Sequence, residues 1–382
     1  MKERRKSRPV FLDRVQIGGD APIAVQSMTD TDTCDTLKTM RQIHALQEVG
    51  CEVVRVAVPD MEAARKLRTI RAGIDIPLVA DIHFDYRLAL EALKSGVDCL
   101  RINPGNIRAF GGGEHKVAEL AAACNDQGVP IRIGVNSGSL EVDLVDKYVG
   151  PTAEAMVESA LRHVTLLEKH NFEMIKISLK ASDVSRTVDA YRLIADQVDY
   201  PLHLGVTEAG SLVTGAVKTT AAFGQLLADG VGDTIRVSLA ASPLEEVKVG
   251  YEILKAMEVR HRGVNVVACP TCGRLQIDVE GLATRLEKGL AHIKRPVTVA
   301  VMGCEVNGPG EAKDADIGIA GGRGEGMLFV KGKKARKVKE ADFYQAVVEE
   351  VEKMVAEKAS QSEEEETSGP EVPELPQLRI LS

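Results

Sequence analysis

Three cysteines and a glutamate in the last third of the chain have the types and spacing of a metal-thiolate site: Cys269 and Cys272 in ACPTCGR, then Cys304 and Glu311 in GCEVNGPGEA. Thiolates hold iron and zinc far better than hard cations, and a C-x2-C pair sets two sulfurs on one tight turn while the third arrives from elsewhere in the fold. That order reads as an iron-sulfur site. Three cysteines leave one coordination position for another donor. With Glu311 in that place the bond is hard and exchangeable, which would free one iron to accept a substrate oxygen. The competing reading is a structural zinc module, but such sites want four Cys or His ligands, and no fourth stands at suitable spacing.

A second set of residues is mostly cationic. Arg55, Asp81 with His83, Arg101 with Asn103, Arg132 with Asn136, Lys176 with Lys180, His203 with Glu208, and Arg236 with Ser238 all stand late in short β-branched runs. Any single strand Arg or Lys can point outward to a helix carboxylate. On five of the eight runs of an acidic chain they describe a polyanion site instead, because guanidinium forks match phosphate oxygens two at a time. Glu208, at the end of HLGVTEAG, is the acidic group expected near the substrate, as a proton donor if partial dehydration outweighs the neighbouring cations, or else as a salt-bridge partner of an arginine. His83 and His203 read more readily as hydrogen-bonded core.

These residues need a scaffold that ends many strands at one place. From residue 20 to about 257 a short β-branched run, a loop and a segment of helical periodicity repeat eight times. The runs are PIAVQSM, EVVRVAV, PLVADIHF, DCLRINPG, PIRIGVNSG, MIKISLKAS, PLHLGVTEAG and DTIRVSL. The pattern predicts an α/β fold, a (β/α)8 TIM-type barrel over residues 1–258, with its chemistry at the carboxyl ends of the strands. An open doubly wound sheet is the alternative, weakened because no GxGxxG follows the first strand. Beyond residue 258 the rhythm changes. VEGLATRLEKGL reads as helix, PVTVAVMG as strand and EADFYQAVVEEVEKMVAEKA as a last helix, giving a small α+β iron-sulfur domain over 259–357. Residues 358–382 are acidic and rich in Pro, Ser and Glu, the composition of a disordered tail. GGRGEG at 321–326 lacks the Walker Lys-Ser/Thr and reads as a hairpin turn, while KGKKARKVK at 331–339 is a solvated face or a docking strip for an acidic electron carrier.

Composition narrows the class. At 382 residues and 44% apolar content there is material for a large core and a smaller second one. The basic start is followed by no apolar h-region, no later stretch is long and apolar enough to span a bilayer, and the expected location is the cytoplasm. A formal charge of -8 argues against nucleic acid as a partner; a nucleic-acid-associated zinc protein remains the reading with no chemistry. Cys34, Cys51, Cys99 and Cys124 lack a partner at ligand spacing and read as small buried side chains.

Taken with VQSMTDTDT, ADIHFDYRLAL, RINPGN, RIGVNSGSL, HLGVTEAG and IRVSL, the two cysteine motifs closely resemble those of the bacterial 4-hydroxy-3-methylbut-2-enyl diphosphate synthase family of the non-mevalonate isoprenoid pathway. The resemblance runs from about residue 8 to 355, in the shorter two-domain form. It implies a [4Fe-4S] cluster on Cys269, Cys272, Cys304 and Glu311. It also implies that Arg55, Arg101, Asn103, Arg132, Asn136, Lys180, Arg236 and Ser238 bind 2-C-methyl-D-erythritol 2,4-cyclodiphosphate, with Glu208 near the reacting carbons and Asn307 close to the ligand. The implied reaction is a two-electron reductive ring opening with loss of water, fed singly by flavodoxin or ferredoxin. Connectivity points to a homodimer. The eighth barrel helix finishes at the bottom of the barrel, and the segment near 257–265 is too short to swing a second domain comfortably over its own mouth. A head-to-tail dimer with the active site built in trans relieves that, and the resemblance agrees.

Overall fold

The computed structural model describes residues 1–83, 85–103, 114–306 and 308–367. They fall into two compact units that divide after Arg260. In the first, β1 (Val10–Leu12) and β2 (Val15–Ile17) form an antiparallel hairpin. Eight parallel strands follow: β3 (Ala24–Met28), β4 (Val53–Val58), β5 (Leu78–Ile82), β6 (Cys99–Ile102), β7 (Ile131–Asn136), β8 (Ile175–Lys180), β9 (His203–Leu204) and β10 (Thr234–Ile235). Their order is β8-β7-β6-β5-β4-β3-β10-β9, and a parallel bridge between Ile177 and Leu202 brings the two ends together. This is the TIM-type barrel expected from the repeat.

The helices outside it are α1 (Thr36–Glu48), α2 (Met61–Ala72), α3 (Tyr86–Lys94), α4 (Glu114–Gln127), α5 (Val142–Lys147), α6 (Ala153–Glu168), α7 (Val184–Ala195), α8 (Leu212–Ala228) and α9 (Pro243–Ala256). Their starts are chemically punctuated. Asp35, Asp60, Asp85, Thr152, Asp183 and Ser242 each accept a first-turn backbone N–H, satisfying donors that have no intrahelical partner. Strand alternation then sorts the core. Val54, Val56, Leu78, Ala80, Leu100 and Ile131 pack outward against the helices. Ala24, Val53, Val79 and Cys99 point the other way and meet Val10, Leu12 and Ile17 of the hairpin in a separate apolar cluster. The hairpin therefore floors the barrel.

The second unit holds a five-stranded sheet ordered β11 (Val264–Ala268), β12 (Val297–Met302), β13 (Ile317–Gly321), β14 (Glu325–Val330) and β15 (Lys333–Lys339), with β11, β12 and β13 parallel and the last two antiparallel. Helices α10 (Val279–Gly289), α11 (Gly308–Asp314) and α12 (Phe343–Thr367) complete it. GGRGEG forms the turn into β14, where Gly322 N donates to Glu325 O at 2.7 Å. KGKKARKVK supplies the exposed edge strand β15. The last helix continues to Thr367, past the point where composition sets the tail; its Glu run favours helix as well as disorder. The rest of the tail, 368–382, lies outside the described residues.

Candidate active site

Two residues above the apolar floor the interior of the barrel turns polar. Val53, Val79 and Cys99 are followed on the same face by Arg55, Asp81 and Arg101, and register carries the row onward: Asp81 lies opposite Arg101, Arg101 opposite Arg132, and Arg132 opposite Lys176. Asn136 and Lys180 are paired in the same way at the ends of β7 and β8. Arg55, Asp81, Arg101, Asn103, Arg132, Lys176, Lys180 and His203 are all buried.

Asp81 organises this cluster. Its Oδ1 lies 3.0 Å from Arg101 Nη1, and its Oδ2 lies 3.7 Å from Arg55 Nε and 3.3 Å from His83 Nε2. Burial alone would raise the pKa of this carboxyl; Arg55, the His83 hydrogen bond and Arg101 outweigh it and hold the group well below the usual range. Two glycines make room for the long side chains. A Cβ on Gly134 would stand 2.5 Å from Arg101 Nε, and one on Gly205 would stand 2.6 Å from Lys180 Nζ. Neither position stands out in the sequence.

One carboxylate does not neutralise the ring. Arg132 is 1% exposed, and among the described residues its Nε, Nη1 and Nη2 have no hydrogen-bond partner; Lys176 Nζ and Arg101 Nε are in the same condition. Burial, then the neighbouring Arg101, brings Arg132 down to about 10, and burial brings Lys176 down to about 8. Lys180 falls well below its ordinary value through burial and four surrounding arginines. His203 is pushed down by burial and by Arg132 and stays neutral, with Nδ1 2.7 Å from Thr234 Oγ1. A buried cation this short of acceptors is costly unless an anion completes it.

The carboxyl ends of β9 and β10 line a cavity of about 440 Å³ that includes Glu208, Arg236 and Ser238. Glu208 is exposed at this rim, in the left-handed region at φ +53°, and forms no salt bridge among the described residues. Two further carboxylates lie close to the cations. Asp81, and Glu246 on α9, sit among the cations because buried guanidinium groups need counter-charge, whereas a rim carboxylate does not. Glu246 went unnoticed because it belongs to a helix and not to a strand end. Asn103 donates from Nδ2 to Ser139 Oγ at 3.0 Å.

In the second unit, β11 runs straight into Cys269 and its neighbour β12 into Gly303 and Cys304. Cys269 N donates to Val301 O at 3.0 Å, and Gln276 N to Gly303 O at 2.9 Å, so the C-x2-C loop folds back onto the end of β12. Gly303 N also donates to Cys269 Sγ at 3.1 Å. A Cβ at Gly303 would stand 2.2 Å from a Leu275 methyl and 2.7 Å from a Val279 methyl, so a larger residue there would have to displace both side chains. The backbone N–H of Arg274, and then its side chain, lower the pKa of the exposed Cys272 thiol, while Cys304 acts on it in the opposite sense. Elsewhere the thiols are inert: burial raises Cys51 to about 12 and raises Cys99 and Cys124, and half-buried Cys34 is raised as well. Glu311 is exposed in the first turn of α11, and Asn307 lies outside the described residues. Among the described residues no three His, Cys, Asp or Glu side chains gather as around a single ion. The donor set, with a backbone N–H on one sulfur and a thiol already shifted toward thiolate, suits an iron-sulfur cluster, whose irons spread the ligands over a larger cage.

A closed (β/α)8 barrel with a buried cationic interior, continued by a thiol-bearing α+β domain, defines the class as a two-domain TIM-barrel enzyme. Residues 7–251 match the GcpE TIM-barrel domain and residues 265–353 the GcpE protein C-terminal domain, and the chain belongs to that family. It is 58% identical over 353 residues to a protein of Geobacter sulfurreducens, covering 92% of this chain and 99% of that one. It is 56% identical over 357 residues to one of Symbiobacterium thermophilum, covering 94% and 95%. Both relatives carry the name 4-hydroxy-3-methylbut-2-en-1-yl diphosphate synthase (flavodoxin). Among the described residues no helix is long and apolar enough to cross a membrane.

Proposed function

We propose that the chain catalyses reductive ring opening and dehydration of 2-C-methyl-D-erythritol 2,4-cyclodiphosphate to (E)-4-hydroxy-3-methylbut-2-enyl diphosphate in the non-mevalonate pathway of the cytoplasm. The observation that carries this reading is the buried Arg132 guanidinium, with no partner on any nitrogen among the described residues, in a ring of cations. Each dianionic substrate takes up two electrons and one proton to give a trianionic product and water. Arg55, Arg101, Arg132, Lys180 and Arg236 bind the diphosphate, helped by Asn103, Asn136, Ser238 and Asn307. They stabilise the product more than the substrate because negative charge grows as the ring opens. Glu208, at the rim of the cavity, supplies the proton for the departing hydroxyl.

Cys269, Cys272, Cys304 and Glu311 would hold a [4Fe-4S] cluster, which when bound supplies single electrons, received from flavodoxin or ferredoxin, and a Lewis-acidic iron. Glu311 would be the ligand that can be exchanged. We read the barrel as residues 1–258, the cluster domain as 259–357 and the tail as 358–382.

The active enzyme is a homodimer with its site shared between chains. Arg260 is fixed to the floor end of the barrel, donating to Ile23 O and forking onto Glu52, each bond at 2.7 Å. From there to Cys269 the chain spans about 30 Å even when fully extended, and it must leave from the face opposite the mouth. Mixed dimers of Cys304→Ser and Arg132→Met chains should regain activity; recovery in none, with both parents folded, favours a site within one chain. The activity itself is tested by supplying anaerobically purified protein with reduced flavodoxin and the cyclic diphosphate, and following the open-chain product by mass spectrometry. No product from a cluster-loaded protein contradicts the reading.

A further inference from the structure

Glu246 is 3% exposed and lies in the first turn of α9, three residues after Pro243. Its carboxylate is shared by three parts of the barrel top. Arg236, just beyond β10, donates from Nε to Oε2 at 3.3 Å and from Nη2 to Oε1 at 3.1 Å. Ser27 of β3 donates from Oγ to Oε2 at 2.9 Å, and Leu239 N donates to Oε1 at 3.1 Å. Strand β3 is the neighbour of β10, so one carboxylate joins two adjacent strands and the loop that leaves one of them. Glu208, Gly210, Ser238 and Leu239 are among the residues that line the same cavity as Arg236 and Glu246.

A long, flexible side chain at a cavity wall has many rotamers, and holding two of its nitrogens removes most of them. The fork on Glu246 occupies Nε and Nη2 and leaves Arg236 Nη1 without a protein partner among the described residues. The carboxylate has an opposite effect as well. It cancels the charge that would attract a diphosphate, so orientation and neutralisation pull substrate affinity in opposite directions, and a buried carboxylate that accepts from four donor atoms favours orientation.

We propose that Glu246 is a positioning residue for anion binding, aiming Arg236 and pinning the Leu239 loop so that the cavity is formed before the substrate arrives. This rests on the reading of the barrel as a diphosphate site. Other cations of the ring take no part in it: Arg55 and Arg101 are held by Asp81, on the opposite side of β3 in the strand order.

The test is calorimetric binding of 2-C-methyl-D-erythritol 2,4-cyclodiphosphate to full-length wild-type, Glu246→Gln, Arg236→Ala and double-variant proteins, with thermal unfolding measured on each. Glu246→Gln keeps the shape of the side chain and removes its charge. It should weaken binding by about 10- to 100-fold, the factor carried by a charged hydrogen bond, and raise KM with kcat changed less than about threefold. In the Arg236→Ala background the same change should have almost no further effect, because the residue through which Glu246 acts is gone. Tighter binding in Glu246→Gln would overturn the proposal, since it would mean that Glu246 merely cancels Arg236. An equal loss in both backgrounds, accompanied by a lower Tm, would overturn it in favour of a purely structural role. If the wild-type protein binds no cyclic diphosphate, the underlying reading of the barrel fails, and the proposal fails with it.

Discussion

Arg132 and Cys272 mark two ways of building a site for a charged guest. The barrel interior is made of side chains on strands, fixed by backbone register, buried, and charged in excess of its counter-ions. The cysteine loops stand at strand ends, with Cys272 exposed, Cys269 half-buried and only Cys304 buried, and are held by a few backbone hydrogen bonds. The barrel stores the cost of its cations in the fold before any ligand arrives. The loops carry little such cost, and on the proposed reading they would take their final form with a metal.

The largest expected difference follows from removing one member of each. Cys304→Ser should lose nearly all iron and turnover while the barrel unfolds at an unchanged temperature; retained iron and sulfide with full activity would remove Cys304 from the ligand set. Asp81→Asn should act in the reverse sense, sparing iron content but destabilising the barrel by about 3–5 kcal/mol, because it strands two buried arginines without their counter-ion. Chemical denaturation distinguishes these outcomes.

Arg132→Met sharpens the contrast. Loss of a charged, multiply bonded anion contact should weaken cyclic diphosphate binding by roughly 10- to 100-fold or more. The ligand-free protein should nevertheless be as stable as wild type or more so, since an unpaired buried cation has been replaced by an apolar side chain of similar length. A marked loss of stability would show that Arg132 is a structural residue.

A smaller effect concerns pH. Burial lowers Lys176 from 10.5 to about 8, so between those values the unfolded chain binds more protons than the folded one, and stability of the free protein should rise with pH. A bound anion favours the protonated lysine, and affinity should fall as pH rises from about 8. Parallel trends in stability and affinity would contradict an anion bound within electrostatic reach of Lys176.

The two regions also differed in how legibly the sequence announced them. Cys269, Cys272 and Cys304 declare themselves by type and spacing, and the eight strand runs carry enough β-branched periodicity to disclose the barrel. The floor hairpin of three-residue strands has no periodicity to read, and it appears only as partner to Val53, Val79 and Cys99. Gly134 and Gly205 matter for the side chains that lie above them, and Glu246 for an arginine ten residues away in sequence. Such dependencies are tertiary. The strand-end list named cations that the fold brings together but not their order of depth, because register alone places Lys176 beside Arg132 and Lys180 beside Asn136.

The central claim is that the barrel's anion site is complete before the cysteine loops receive their metal. It is tested by thermal unfolding of the cluster-free Cys304→Ser protein with and without 2-C-methyl-D-erythritol 2,4-cyclodiphosphate. With ligand at about 100 times Kd, the barrel transition should rise by roughly 5 °C or more, and Arg132→Met in the same background should abolish the rise. An unchanged transition in the cluster-free protein, beside a clear shift in the cluster-loaded one, would contradict a preformed site.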